Sequence, residues 1–433
     1  MRAEPDPTDD SPERVILIGV VFDADPAGEE EAERSMAELA LLAESAGAVV
    51  AGRALQKRAK PDAVTYIGKG KLLEVSDAAD ALDAGTLVFD DELSGAQLRN
   101  IEESTGRKVL DRTLLIMDIF AGRAKSREGR LQVELAQQRY RLSRLVGIGK
   151  GLSRQGGGIG TRGPGESRLE SDRRHIARRI KILSDSIAEV RGQRQRTREG
   201  RRQSEVFSIA FMGYTNAGKS TLINALCDTT LYTEDRVFAT LDPAVRRLPL
   251  DASVQAVAVD TVGFIRKLPH HLVDAFKSTL EEAVLADLIV LVVDASDPDR
   301  LRQIEVVEEI LRGLDAADRP RLTVFNKTDR NVLPDHAAVL SLPGERVPSD
   351  VFEVSAVTGQ GLERLRAALR VRAEAGTVRV RLRIPYAESG LVDELHRSAR
   401  VESLAYAPDA IEIDAVVPVS RLMRFARFQV RDL

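Results

Sequence analysis

The sequence predicts an α/β chain: two parallel α/β domains separated by an antiparallel helical hairpin, then a small α+β unit. Three observations predict it. Apolar strand-like runs alternate with helix-like runs in two stretches, 14–122 and 203–371. Such alternation gives parallel sheets, because each return to the sheet needs a crossover helix. Between the two stretches, apolar residues recur at steps of three and four around a glycine-crowded centre. At 433 residues, the chain is also too long for one typical domain.

Taken in order, residues 1–13 are acidic and Pro-rich and are expected to be a disordered tail. They lack the basic and apolar regions of a secretory signal. VILIGVVF (15–22), AVVAGRAL (48–55), TLVFD (86–90) and KVLD (108–111) read as strands, with helix-like runs over 27–46, 69–82 and 94–105. Residues 123–202 form the hairpin. Leu131, Leu135, Gln138, Leu142 and Leu145 make one stripe, and Leu169, Ile176, Ile180, Leu183, Ile187 and Val190 a second. Two heptad-spaced stripes seal an antiparallel pair along one seam. The segment between them, 147–165, holds nine glycines in nineteen positions. Each glycine costs about 1 kcal/mol in a helix relative to alanine, so this segment is expected to form a non-helical loop at the tip. Residues 372–433 read as a strand (378–385), a helix (391–399), a hairpin around Pro408 and Asp409, and a closing helix (420–428).

The net charge of −4 hides an asymmetry. Residues 123–202 carry 22 Lys/Arg against 8 Asp/Glu, a balance of +14, which leaves −18 for the remainder. A basic block inside an acidic chain is an electrostatic footprint for a polyanion. A plain Gly-rich linker fits less well, because linkers rarely carry Lys150, Arg154 and Arg162 between two arginine-rich helices. No apolar run reaches the roughly 18 residues of a membrane span, so no stable membrane insertion is expected. One cysteine, Cys227, excludes an internal disulfide framework and fits a reducing, cytoplasmic compartment; it reads as a small core residue.

The chemistry lies in 203–371. SIAFMGYTNAGKS runs from an apolar strand straight into a helix, the context that a Gly-x-x-x-x-Gly-Lys-Ser phosphate loop requires. Gly213 and Gly218 let backbone N–H groups wrap phosphates, and the helix adds the positive end of its dipole. Lys219 is placed to bridge the β- and γ-phosphates, and Ser220 to give a hydroxyl to Mg²⁺. DTVG (260–263) puts the Asp260 carboxylate where it holds a magnesium-bound water, and lets Gly263 offer its N–H to the γ-phosphate.

NKTD (326–329) selects the base: Asp329 can accept from both N1–H and the 2-amino group of guanine. Adenine lacks both donors, and a site built on a substrate donor rejects such an analogue on the order of 10⁴-fold. Asn326 ties the base loop to the phosphate loop, the stem of Lys327 lies on the base, and Ala356 of SAV (355–357) offers an N–H to guanine O6. Thr240 in FATLDP (238–243) reads as the switch-one threonine that closes over Mg²⁺ when a γ-phosphate is present. The contact set is completed by Tyr214, Thr215, Asn216, Ala217 and Thr221 around the phosphate loop. Phe238, Ala239, Leu241 and Asp242 flank Thr240; Thr261, Val262, Thr328, Ser355 and Val357 lie within the other motifs. Singly these patterns are weak. In this order, each after an apolar strand, they define a GTP site in a P-loop GTPase domain. The candidate catalytic set is Lys219, Thr240, Gly263 and Asn216.

Beyond these motifs, YIGKGK (66–71), FDDELSGAQLRNIE (89–102), VLDRTLLIMDIFAGRAKSREGRLQVELAQ (109–137), RQGGGIGTRGPGESRLESDRR (154–174) and DTVGFIRKLPHHLVDAFKSTLEE (260–282) resemble the HflX family, ribosome-associated GTPases of the Obg–HflX group. The likeness runs nearly the whole chain from about residue 15. It implies magnesium ligands at Ser220 and Thr240, with Asp260 acting through water. It further implies a factor that binds the large ribosomal subunit and its rRNA, splits stalled or idle ribosomes when GTP-bound, typically under stress, and works as a monomer. Lys150, Arg154, Arg162, Arg168, Arg173 and Arg174 are the candidate RNA contacts. Two other readings stay open: a GTPase of large-subunit assembly or RNA maturation, and a nucleotide-gated occluder of idle ribosomes.

Phe264 follows DTVG where Ras-type enzymes place a water-orienting glutamine, so hydrolysis is expected to be slow alone and stimulated by a partner. In related potassium-stimulated GTPases an asparagine at the place of Asn216 helps ligate K⁺; a loop asparagine bonding its own backbone is the equal alternative. Some family members are credited with a second, ATP-linked activity. GKGK here lacks the full phosphate-loop spacing, and Gly68 and Gly70 read as the opening of a helix. His270 and His271 read as switch-region surface residues, and no Cys/His zinc cluster is visible.

Overall fold

In the computed structural model, the described residues are 12–22, 28–152, 164–203, 206–227, 237–238, 241, 244–251, 254–267, 272, 280, 284–330 and 350–430. They divide into two compact units. The first is Met1–Ala188 with Asp235–Leu241 and Lys267–Phe276; the second is Glu189–Glu234 with Asp242–Arg266 and Lys277–Leu433.

The first unit holds a four-stranded parallel sheet. β1 (Arg14–Phe22) lies between β2 (Val49–Arg58) and β3 (Thr86–Phe89), and β4 (Lys108–Asp111) lies beyond β3. Val15–Val21 are buried without alternation, the pattern of a strand covered on both faces. The crossover helices are α1 (Gly28–Ser45), α2 (Lys69–Ala81) and α3 (Gly95–Thr105). The start of α2 is capped by Gly68, as the GKGK reading expects. α3 is bounded by a Ser94/Gln97 capping box and by Gly106 in the left-handed region, at φ 62°. The sequence reading names no helix after β4, yet α4 (Arg112–Arg123) follows at once, its first turn capped by the Asp111 carboxylate accepting from Leu114 N–H. Leu115, Ile116, Met117, Ile119 and Phe120 are all buried, so the helix is apolar nearly all round and shows no one-sided period.

The hairpin is α5 (Arg127–Leu152) and α6 (Pro164–Gln203). Leu135, Leu183 and Ile187 form its buried seam, flanked by Leu131 and Ile180. The expected non-helical segment is shorter than 147–165: α5 continues through Gly147, Gly149 and Gly151, and α6 begins at Pro164. Extending an existing helix avoids a new nucleation step, and proline suits a first helical position. Residues 153–163, with Arg154 and Arg162, lie outside the described residues.

In the second unit the six-stranded sheet runs β10 (Asp350–Glu353), β9 (Arg321–Asn326), β8 (Leu288–Asp294), β5 (Phe207–Gly213), β7 (Val254–Asp260), β6 (Ala244–Asp251). All neighbours are parallel except edge strand β6, antiparallel to β7. α7 (Lys219–Cys227) follows β5, α8 (Arg300–Gly313) joins β8 to β9, and α9 (Leu362–Glu374) follows β10. Cys227 is buried, in the core built by Leu222, Ile223 and Leu226.

Chain order then gives β11 (Thr377–Pro385), α10 (Gly390–Ser398), β12 (Arg400–Tyr406), β13 (Ala410–Pro418) and α11 (Val419–Phe425). Their antiparallel sheet is ordered β11-β13-β12. Leu382, Ile384 and Ile413 face a core shared with Leu395 and Phe425. The alternate residues of β11 are arginines in ion pairs: Arg379 with Glu402, Arg381 with Asp414 and Arg383 with Asp409. No described helix is long and apolar enough to cross a membrane.

Candidate active site

The phosphate loop, DTVG and NKTD each sit where a parallel strand ends, at the carboxyl edge where open α/β sheets bind ligands. β5 delivers the loop 213–220, β7 ends on Asp260, and β9 ends on Asn326. The β5/β7/β8 pairing sets these ends side by side.

The loop is built for close approach. A side chain at Gly218, at φ 86°, would collide with the Asn326 amide, so only glycine lets the base loop reach the phosphate loop. Asn326 Nδ2 donates to Ala217 O at 3.0 Å, and its Oδ1 accepts from Ala356 N–H at 3.0 Å. One buried amide thus joins three motifs, the tie the sequence reading expects of it. The Ala356 N–H, reserved by that reading for guanine O6, is engaged by Asn326 in this structure.

Lys219 is buried, and its ammonium donates to Gly213 O at 3.1 Å and Tyr214 O at 2.8 Å. An ammonium has three N–H groups, so these two bonds aim the head and leave one donor for a phosphate oxygen. Burial pushes its pKa down to about 8; Asp260 opposes this and Lys327 adds to it. Ser220 Oγ donates to Asp260 Oδ2 at 2.7 Å, and Asp260 is 1% exposed. A hydroxyl and a carboxylate side by side are hard oxygen donors, the set Mg²⁺ takes when it keeps waters and phosphate oxygens as its other ligands. Ser220 would hold the ion directly and Asp260 through a water; the bound ion would neutralise charge on the β- and γ-phosphates. That mode needs no cluster of three or more His, Cys, Asp or Glu, and none occurs among the described residues. Thr240, Ala239 and Asp242 lie outside the described residues, as do His270 and His271.

The Asp329 side chain is exposed toward solvent, and its Oδ1 accepts from Ser355 Oγ at 2.5 Å. That bond holds its pKa below the usual carboxylate value, so the group stays an acceptor. Lys327, in the left-handed region at φ 65°, has its ammonium 2.7 Å from Asp294 Oδ2. The sequence reading gave Asp294 no role; the signal was the carboxylate closing the apolar strand LIVLVVD. With its head held there, the lysine stem is fixed beside Gly218, where an added Cβ would lie 3.8 Å from Lys327 Cε.

The residues that follow DTVG, the switch-two segment, are stapled to the phosphate loop. Phe264 N–H donates to Gly213 O at 3.1 Å, and Thr215 N–H donates to Phe264 O at 2.7 Å. Arg266 N–H donates to Tyr214 Oη at 2.8 Å, a role for Tyr214 that the motif alone does not suggest. At Gly263 a Cβ would lie 2.9 Å from Thr215 Cα and 3.1 Å from Lys219 Nζ. Only glycine therefore brings that backbone beside Lys219. The Phe264 ring is 1% exposed, a core group rather than a partner for water. Asn216 is exposed and left-handed, at φ 60°, while Val357 stands 79% exposed at the rim.

Three family profiles match the chain in succession: one described as GTP-binding GTPase N-terminal over residues 33–121, one as GTP-binding GTPase middle region over 123–201, and one as 50S ribosome-binding GTPase over 208–327. A GTPase HflX from Lacrimispora saccharolytica is 47% identical over 407 residues, 94% of each chain. The GTPase HflX of Escherichia coli is 40% identical over 393 residues, 91% of this chain and 90% of its own. A solved complex of SsGBP with GDP covers 84% of this chain and 99% of that one, at 28% identity and a TM-score of 0.48. With whole-length identity of this order and the guanine-nucleotide motifs converging on one sheet edge, the chain belongs to the HflX family and is a GTP-hydrolysing P-loop enzyme.

Proposed function

We propose that the GTP-bound protein docks on the large ribosomal subunit through its basic hairpin and splits stalled or idle ribosomes, with hydrolysis releasing it. The observation that carries this reading is the +14 balance of residues 123–202, most of it on two helices. Arg173, Arg174 and Arg178 on α6 are exposed, and RNA phosphates are the natural partner for such a surface. The profile match described as 50S ribosome-binding GTPase supports the choice of polyanion. Lys150 lies on α5 and Arg168 on α6, the same two helices. With no tryptophan in the chain, arginine planes rather than aromatic rings would stack on bases.

The core position of Phe264 supports slow hydrolysis by the free protein, accelerated by the docked subunit. K⁺ near Asn216 is the candidate second cofactor beside Mg²⁺. Its role predicts faster turnover in KCl than in matched NaCl.

Sedimentation of purified intact ribosomes with the protein and a non-hydrolysable GTP analogue tests the reading. Free subunits are the expected result. Intact ribosomes carrying bound protein would replace splitting by occlusion, and binding to immature large subunits alone would favour an assembly role.

A further inference from the structure

Within the first unit, β3 is followed directly by two adjacent carboxylates, Asp90 and Asp91. They stand at the point where the order β2-β1-β3-β4 reverses direction, the place where parallel sheets ordinarily bind their ligands. The occupant here is the chain's own Lys267, whose ammonium lies 2.5 Å from Asp90 Oδ2 and 2.7 Å from Asp91 Oδ1. Asp90 is 4% exposed and also receives Arg112 at 2.7 Å and the Ser35 hydroxyl at 2.7 Å; Asp91 receives the Tyr66 hydroxyl at 2.6 Å. Glu38 binds Arg112 from the other side. Three carboxylates thus share two cations, and withdrawing Lys267 would leave the pocket with one.

We infer that Asp90 and Asp91 are positioning residues for GTP hydrolysis, acting through Lys267 on the switch-two backbone. Lys267 follows directly on Arg266, whose N–H is bonded to the Tyr214 hydroxyl, and Phe264 just before it is stapled to Gly213 and Thr215. The clamp therefore fixes the far end of the short segment whose near end carries Gly263 beside Lys219.

A second observation points the same way. Lys267 (φ 52°), Tyr66 (φ 64°) and Phe238 (φ 57°) are all in the left-handed region without being glycine. Backbone held there persists only where its surroundings over-determine it, and such residues cluster at switches. Each is pinned by a side-chain contact in this unit. The Phe238 ring packs edge-on against Phe120 with centroids 4.6 Å apart, and Val237 N–H donates to Ser45 Oγ at 3.2 Å. Both lie just before Thr240, so the residues leading into switch one are held in the same unit as Lys267.

This role depends on GTP hydrolysis alone and not on the ribosome. It is tested on the full-length protein without ribosomes, by steady-state GTP hydrolysis, affinity for a fluorescent GDP, and thermal melting. Lys267→Gln and Asp91→Asn should each lower kcat about fivefold, with KM and GDP affinity unchanged, because the phosphate and base loops are held elsewhere. The double variant should be no slower than either single one, and Lys267→Arg should keep the wild-type rate. Lys267 is 41% exposed, so its variants test the idea even if Asp91→Asn melts early. An unchanged or raised kcat in Lys267→Gln, additive losses in the double variant, or a matching fall in GDP affinity would each overturn it.

Discussion

Lys219 enters the folded protein against its own charge preference. Packed under the phosphate loop, it loses hydration, and its pKa falls from 10.5 to about 8. Between those values the unfolded chain keeps a proton that the folded, nucleotide-free chain has released. The destabilisation from burying this ammonium is thus full below pH 8 and is relieved as pH rises from 8 toward 10.5. Phosphate oxygens reverse the balance by favouring the charged form. GDP binding at pH 8.5 should therefore take up protons, and at pH 6.5 it should take up almost none at this site. Calorimetry in buffers of different ionisation enthalpy measures this directly; equal proton uptake at both pH values would show that Lys219 is not the group titrating. Candidate residues for this site can be read from the sequence because each motif is a short run whose chemistry is local. Asn326 could be assigned to its tie because a strand, a glycine and an amide were enough to place it. Asp90, Asp91 and Asp294 could not be assigned, because their partners are remote in the chain; Lys267 lies 176 positions beyond Asp91.

The hairpin shows how far periodicity carries at the level of an element. Of the residues its stripes name, Leu131, Leu135, Ile180, Leu183 and Ile187 build the seam, while Leu142, Leu145, Ile176 and Val190 are half-buried. The glycine count misjudged the ends of the helices, because propensity is a weak term once a long helix is already propagating. Helix α4 escaped for the opposite reason: it is too well covered to look amphipathic. Leu183 is 1% exposed at the middle of the seam, and Leu183→Ala leaves a void that the two helices cannot close. The expected loss is about 3 kcal/mol of hairpin stability, seen as faster amide exchange in α5 and α6 with GDP affinity retained. Weakened GDP binding in that variant would mean that the seam supports more than the hairpin.

Taken as a whole, the molecule is cut by packing differently from its linear order. The sequence suggests contiguous domains, whereas segments 235–241 and 267–276, read as part of the 203–371 domain, belong to the first compact unit. Linear motifs cannot reveal this, since they record what a segment binds and not which core it joins. Charge is also distributed at this scale. If the hairpin meets RNA, log affinity for the large subunit falls linearly with log salt, and replacing Arg173, Arg174 and Arg178 by glutamine should flatten the slope by about one unit each. A slope unaffected by the triple change would place the contact elsewhere. The sheet of 377–418 bears on the same measurement. Its arginines on β11 look in the sequence like another cationic strip, but each faces a carboxylate across the strands. Such pairs cancel one another's field within a few ångströms, so this face is electrically quiet at a distance. If RNA is the partner, the +14 balance of residues 123–202 would draw it to the hairpin rather than to the paired strip on β11.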